Sequence, residues 1–115
     1  MNALVEKEHL ELLSGDTANV RFPETYHTAF WCPECATYVW SEYKGGYFEH
    51  CWFIRVGTLD EPDRLPPDVH IFTESKQPWV SLPEEVSAFE HFYNIDEVWD
   101  EKSLARLKPY RNTSS

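Results

Sequence analysis

The sequence has few cysteines, few glycines and few basic residues, and it has no long apolar run. No stretch approaches the roughly 20 apolar residues that a membrane-crossing helix needs, so no membrane partner is expected. The first fifteen residues, MNALVEKEHLELLSG, are interrupted by acidic side chains and do not form the unbroken apolar segment of a secretory signal. A cytoplasmic location is therefore expected. Three cysteines, an odd number, argue against a disulfide framework in such a chain. Basic residues number 10 against 20 acidic ones, for a net charge of −10. A surface of that sign repels phosphate backbones, and no dense Lys/Arg stripe offsets it, so nucleic acid is not an expected partner. The acidic run over 84–101 and the basic run KSLARLKPYR read as a solvated face and as helix-end cations that suit the helix dipole. Disorder is equally disfavoured, because 42% of the residues are hydrophobic and 16% aromatic. The length of 115 residues allows one modest core.

The chemistry is concentrated in FWCPECATYVW, residues 30–40. Cys32 and Cys35 form a Cys-x-x-Cys turn that can direct two sulfurs to one point and supply one edge of a tetrahedral Zn2+ site. A redox pair of the thioredoxin type needs a helix starting at the motif. Here Thr37, Val39 and the aromatics favour a strand, which suits a zinc knuckle. A structural zinc takes four ligands, so two more donors are sought among Cys51, His9, His27, His50, His70 and His91. His27 lies five residues before Cys32 and reaches the knuckle if its strand bends. His50 and Cys51 are neighbours on an expected strand and point to opposite faces, so at most one of them can join from a given face. The competing reading makes Cys51 a small packed side chain and His50 a hydrogen-bonded core residue.

The fold is expected to be mainly β, with short C-terminal helices. Residues 4–13 are compatible with a short helix or a strand. Asn19–Phe22, Tyr26–Trp31 and Thr37–Tyr43 read as strands, and Lys44-Gly45-Gly46 as a hairpin turn. YFEHCWFIRVGTL is the strongest strand, with Phe48, His50, Trp52, Ile54 and Val56 on one face and Glu49, Cys51, Phe53 and Arg55 on the other. A proline-rich loop and a short strand over 69–72 follow. Helical spacing then predicts one helix over 84–92, built on Val86, Phe89 and His91 or Phe92. A second is predicted after Asp96, with Val98, Trp99, Leu104 and Leu107 as its apolar stripe.

Three segments in order, FWCPECATYVW, IRVGTLDEP and LPPDVHIFTESKQPWV, carry a resemblance. Together they resemble the C-terminal part of the glutathione-dependent formaldehyde-activating enzyme / centromere protein V domain family, over about Val20 to Phe92. The resemblance implies a β-rich, Mss4-like zinc-binding fold and a carbon–sulfur lyase lineage. The type activity joins formaldehyde to glutathione, giving S-(hydroxymethyl)glutathione, so glutathione or another small thiol is the implied partner. Cys32 and Cys35 match the later pair of a structural zinc site. Gly57, Thr58, Leu59, Asp60, His70, Ile71, Pro78 and Trp79 match the family signature. Gly57 to Asp60 are read as a strand-end turn, and His70 and Trp79 as packing near the cleft. The family's earlier Cys-x-Cys elements, including its catalytic zinc ligands, have no counterpart before Cys32, so an incomplete, truncated copy of the fold is expected. On this reading residues 1–19 are a remnant of the family domain, 20–92 its C-terminal part and 93–115 a helical extension. With half of a zinc site and open strand edges, a homodimer that pools four cysteines is the expected alternative to an active enzyme.

Overall fold

The structure is a computed structural model and describes residues 1–45 and 48–111. Seven strands and two α-helices follow one another: β1 (Asn2–Glu6), β2 (Ala18–Arg21), β3 (His27–Trp31), β4 (Tyr38–Tyr43), β5 (Cys51–Arg55), β6 (Val69–His70), β7 (Ser87–Ala88), α1 (Ile95–Val98) and α2 (Glu101–Arg111). The architecture is mainly β, as the sequence pattern requires. Two compact units are present. One comprises Met1–Pro62 with the chain from Pro109 onward, and the other Asp63–Lys108.

The first unit is built on a five-stranded antiparallel sheet in the order β1-β5-β4-β3-β2. Period-two alternation and the register divide its side chains cleanly. Phe30, Trp40, Ile54 and Ala3 lie in one cross-strand row, with Trp52 and Val5 beside them on the same face. Phe30 meets Trp52 edge-on at 5.3 Å, and Trp40 lies 6.1 Å from Trp52. Lys7 covers this cluster, its Nζ 4.5 Å from the Trp52 ring and 2.7 Å from a carboxylate oxygen of Glu42. The other face carries Ala29, Ser41, Phe53 and Leu4 in one row, flanked by His27, Tyr43 and Cys51. Its aromatics run in a chain, Phe22 on His27, His27 on Tyr43, Tyr43 on Phe53 and Phe53 on Phe48, with centroids 4.6–5.7 Å apart. Such ring pairs contribute beyond the area they bury. That matters here because the fully buried core is small: Ala29, Cys51 and Val56 in this unit, Ile95 and Leu107 in the other.

β1 resolves the ambiguity at 4–13. Its five residues pair along β5, and a single 3-10 turn, Lys7–His9, follows. β5 is shorter than the alternation predicts. Residues 48–50 form a turn in which the Cys51 N–H donates to the Phe48 carbonyl, and Val56–Thr58 form a 3-10 turn. His50 is therefore not a strand residue. Its ring stacks on Tyr110 at 5.4 Å. Gly45 takes a positive φ of 81° at the start of the β4–β5 connection, as a turn glycine should. Gly46, the last residue of the expected hairpin turn, lies outside the described residues.

In the second unit the expected helix over 84–92 is absent. Ser87–Ala88 instead pairs in parallel with Val69–His70. The carbonyls a helix would use are taken by the 70–73 segment: Thr73 N–H donates to Phe89 O and Phe72 N–H to His91 O, while Phe89 N–H donates to His70 O. Pairing with a distant segment overrides the helical spacing of Val86, Phe89 and Phe92. The second expected helix is present but divided. Asn94, not Asp96, caps α1, its side-chain oxygen accepting from Asp96 N–H at 3.0 Å. Asp100 restarts the helix by accepting from Ser103 N–H at 2.8 Å. Leu107 is the buried member of the predicted stripe.

Candidate functional site

β3 and β4 are joined by Cys32–Thr37, the connection that holds the candidate site. Register shifts between Phe30 and Trp31, so that Trp31 faces Tyr38 as the strands part. Two backbone bonds close the turn. Cys32 N–H donates to Thr37 O at 2.9 Å, and Ala36 N–H donates to Cys32 O at 2.7 Å. Closure requires Ala36 to adopt the left-handed conformation, φ 63°. Pro33 sits where its missing N–H is not needed. The result is a preformed knuckle with Cys32 half-buried and Cys35 exposed. No helix starts here, which removes the geometric basis for a thioredoxin-type pair.

The Cys35 thiol is held below its ordinary pKa, first by the Thr37 hydroxyl, then by the Thr37 backbone N–H, then by the neighbouring Cys32 thiol. The Thr37 oxygen lies 3.2 Å from Cys35 Sγ. Each of these donors favours the thiolate, which is the nucleophile and the metal ligand. Slight desolvation and the Glu34 charge oppose them. Thr37, expected only as a strand residue, is the residue whose hydroxyl meets the Cys35 sulfur. Its signal was its position two residues after the second cysteine.

The other candidate ligands do not join the knuckle. His27 begins β3 while Cys32 follows its end, and five strand steps separate them by roughly 16 Å. His27 Nε2 instead lies 2.9 Å from Ser41 Oγ. Its pKa is lowered, first by burial and second by the Arg55 charge. β5 runs antiparallel to β4, so Cys51 and the preceding His50 belong to the same far end of the sheet as His27. Cys51 is only 5% exposed. Among the described residues no group of three or more His, Cys, Asp or Glu side chains is placed to hold a metal ion. Among the described residues the knuckle thus stands as two thiols where tetrahedral zinc takes four ligands.

The signature residues divide between the units. Gly57, Thr58 and Asp60 follow β5 and so lie at the knuckle's end of the sheet. Thr58 Oγ1 donates to Arg55 O at 2.7 Å, and Val56 N–H donates to Met1 O at 3.1 Å. Arg55 ties this turn to the knuckle hairpin, its guanidinium carbon 5.7 Å from the Tyr38 ring. His70 and Trp79 belong to the second unit. His70 Nε2 is buried without a hydrogen-bond partner, and Trp79 is 77% exposed.

A family model described as glutathione-dependent formaldehyde-activating enzyme matches residues 1–75, a span that holds the whole five-stranded sheet, the knuckle and the turn after β5. No curated protein and no solved structure matches. The chain belongs to the glutathione-dependent formaldehyde-activating enzyme family.

Proposed function

We propose that this chain acts in the thiol–aldehyde chemistry of its family, joining formaldehyde to glutathione or a similar small thiol in a reaction of the carbon–sulfur lyase class. The observation that carries this reading is the preformed knuckle inside the family-matched segment, with an exposed Cys35 thiol 3.2 Å from the Thr37 oxygen, which holds it below its ordinary pKa. Gly57, Thr58 and Asp60 are the signature residues that share its unit and lie at its end of the sheet. The test is formaldehyde-dependent consumption of glutathione, followed above the uncatalysed rate. The wild-type chain should accelerate it, and Cys35→Ser should not. Equal rates with and without chain at high protein concentration would refute the proposal.

A second reading rests on the donor count. The knuckle has two sulfurs where zinc takes four ligands. Two copies of the chain would supply four thiolates, with Cys32 and Cys35 from each, and the chain would then be a self-associating zinc module. Native mass spectrometry reads metal and oligomeric state together. One zinc per dimer, lost in Cys32→Ser, supports this reading, and a zinc-retaining monomer refutes it.

A further inference from the structure

We propose that the outer edge of β2 pairs with the same edge of a second copy of this chain, joining two five-stranded sheets into one through an antiparallel β2–β2 contact. This pairing needs neither the thiol–aldehyde chemistry nor a metal.

The sheet has two edges, and they differ. β1 is exposed only at Asn2, whereas in β2 Asn19, Val20 and Arg21 are all exposed. The direction of the β2 backbone groups follows from its end. Phe22 N–H donates to His27 O at 3.1 Å, so by alternation Val20 and Ala18 also bond to β3. Asn19 and Arg21 therefore turn their N–H and C=O outward, and among the described residues nothing meets them there. Such a row is a template for another strand. β2 carries no bulge and no proline to blunt it, since Pro23 lies beyond its end.

A second copy fits because the edge is complementary to itself. A two-fold axis through Asn19 sets Thr17 of one copy opposite Arg21 of the other, and Ala18 opposite Val20. The exposed Val20 is then flanked by a small apolar side chain. Arg21, which has no ion-pair partner among the described residues, comes next to Asp16 of the other copy, an exposed carboxylate in the same condition. Neighbouring registers are worse. An axis through Val20 sets Pro23, which has no N–H, opposite Thr17, and Glu24 opposite Asp16. An axis through Ala18 sets Val20 against Asp16. The pairing also has a consequence for the knuckle. Ala18 lies beside Trp31, at the knuckle's end of the sheet, and the antiparallel copy is inverted. The two knuckles then lie at opposite ends of the joined sheet and do not pool their cysteines.

The test is sedimentation velocity of the full chain over a concentration series, with chelator and reductant present. A shift from monomer to dimer is expected as concentration rises. Amide exchange followed by NMR on the same samples locates the contact. In the monomer Val20 N–H is protected by β3 while those of Asn19 and Arg21 exchange freely; in the dimer all three are protected. This measurement uses the wild-type chain and stands whether or not a variant folds. Asn19→Pro removes an outward donor and spares the β2–β3 bonds, as edge strands permit, and should abolish the dimer. Arg21→Glu changes two symmetric contacts at once and should raise the dissociation constant by roughly tenfold. A chain that stays monomeric, a dimer in which Asn19 and Arg21 exchange as before, or a dimer that survives Asn19→Pro would overturn the proposal. A dimer that forms only with zinc and is lost in Cys32→Ser would overturn it in favour of the pooled-cysteine module.

Discussion

Replacing Ala36 with glycine should stabilise this protein, although the same replacement destabilises most proteins at most positions. Ala36 sits at φ 63° because its N–H must reach the Cys32 carbonyl, 2.7 Å away, to close the knuckle. An L-residue held in the left-handed region costs roughly 1–2 kcal/mol. Glycine removes that cost but gives up roughly 0.5–1 kcal/mol through the greater freedom of the unfolded chain. The difference leaves about 0.5–1 kcal/mol in favour of Ala36→Gly, or a melting temperature higher by roughly 2–6 °C. Ala36→Val should move the other way, because a β-branched side chain fits this region worst. Ala105→Gly supplies the contrast: Ala105 is an exposed residue inside α2, and its replacement should cost about 1 kcal/mol. Urea denaturation followed by tryptophan fluorescence measures all three, since Trp31, Trp40 and Trp52 report on the sheet. The decisive quantity is the sign. If Ala36→Gly and Ala105→Gly both destabilise, the knuckle does not hold Ala36 in the left-handed region, and the closed turn described for Cys32–Thr37 falls with it.

Val56, at 2% exposure the most buried side chain described, loses two methyl groups in Val56→Ala; transfer at about 0.8 kcal/mol per group plus the cavity left behind predicts about 2–3 kcal/mol of lost stability in the same denaturation assay. A loss below half that would mean that the turn after β5 repacks freely. His27 has a folded-state pKa below the ordinary 6.5, so its neutral form is the one that folding favours. Its contribution is therefore complete above the unfolded value of 6.5 and is lost as pH falls below it through the lowered folded-state value. His27→Gln should flatten that part of the stability–pH curve, and an unchanged acid slope in the variant would rule His27 out as its source.

Some of this fold is legible from local pattern and some is not. β2, β3 and β4 follow from alternation bounded by turn residues, because neighbouring strands in a meander are specified by neighbouring sequence. β5 shows the limit of the same rule. Its alternation continues from Phe48 to Val56, but pairing with β1 runs only from Arg55 to Cys51, and Val56 turns inward once its partner strand has ended. The segment 84–92 shows a different limit. Val86, Phe89 and Phe92 are spaced for a helix, and nothing nearby reveals that Phe72 and Thr73 will claim the carbonyls of His91 and Phe89. The distance between His27 and Cys32 shows the same limit. His27 is five residues from Cys32, which is close in a turn or helix but far in a strand, where each residue advances the chain by roughly 3.3 Å.

Topology also explains why two separate sequence segments belong to one site. FWCPECATYVW and IRVGTLDEP have no local relation to each other. In the sheet, β3 and β5 both flank β4 in the antiparallel sense, so both run in the same direction and end on the same side. The knuckle leaves the end of β3 and the Gly57–Asp60 turn leaves the end of β5, and Arg55 lies against Tyr38 between them. His27, His50 and Cys51 are at the opposite ends of those strands, which leaves the two knuckle sulfurs without a third ligand from the sheet. The arrangement that brings Gly57–Asp60 to the knuckle's end of the sheet is thus the same one that carries His27, His50 and Cys51 away from Cys32 and Cys35.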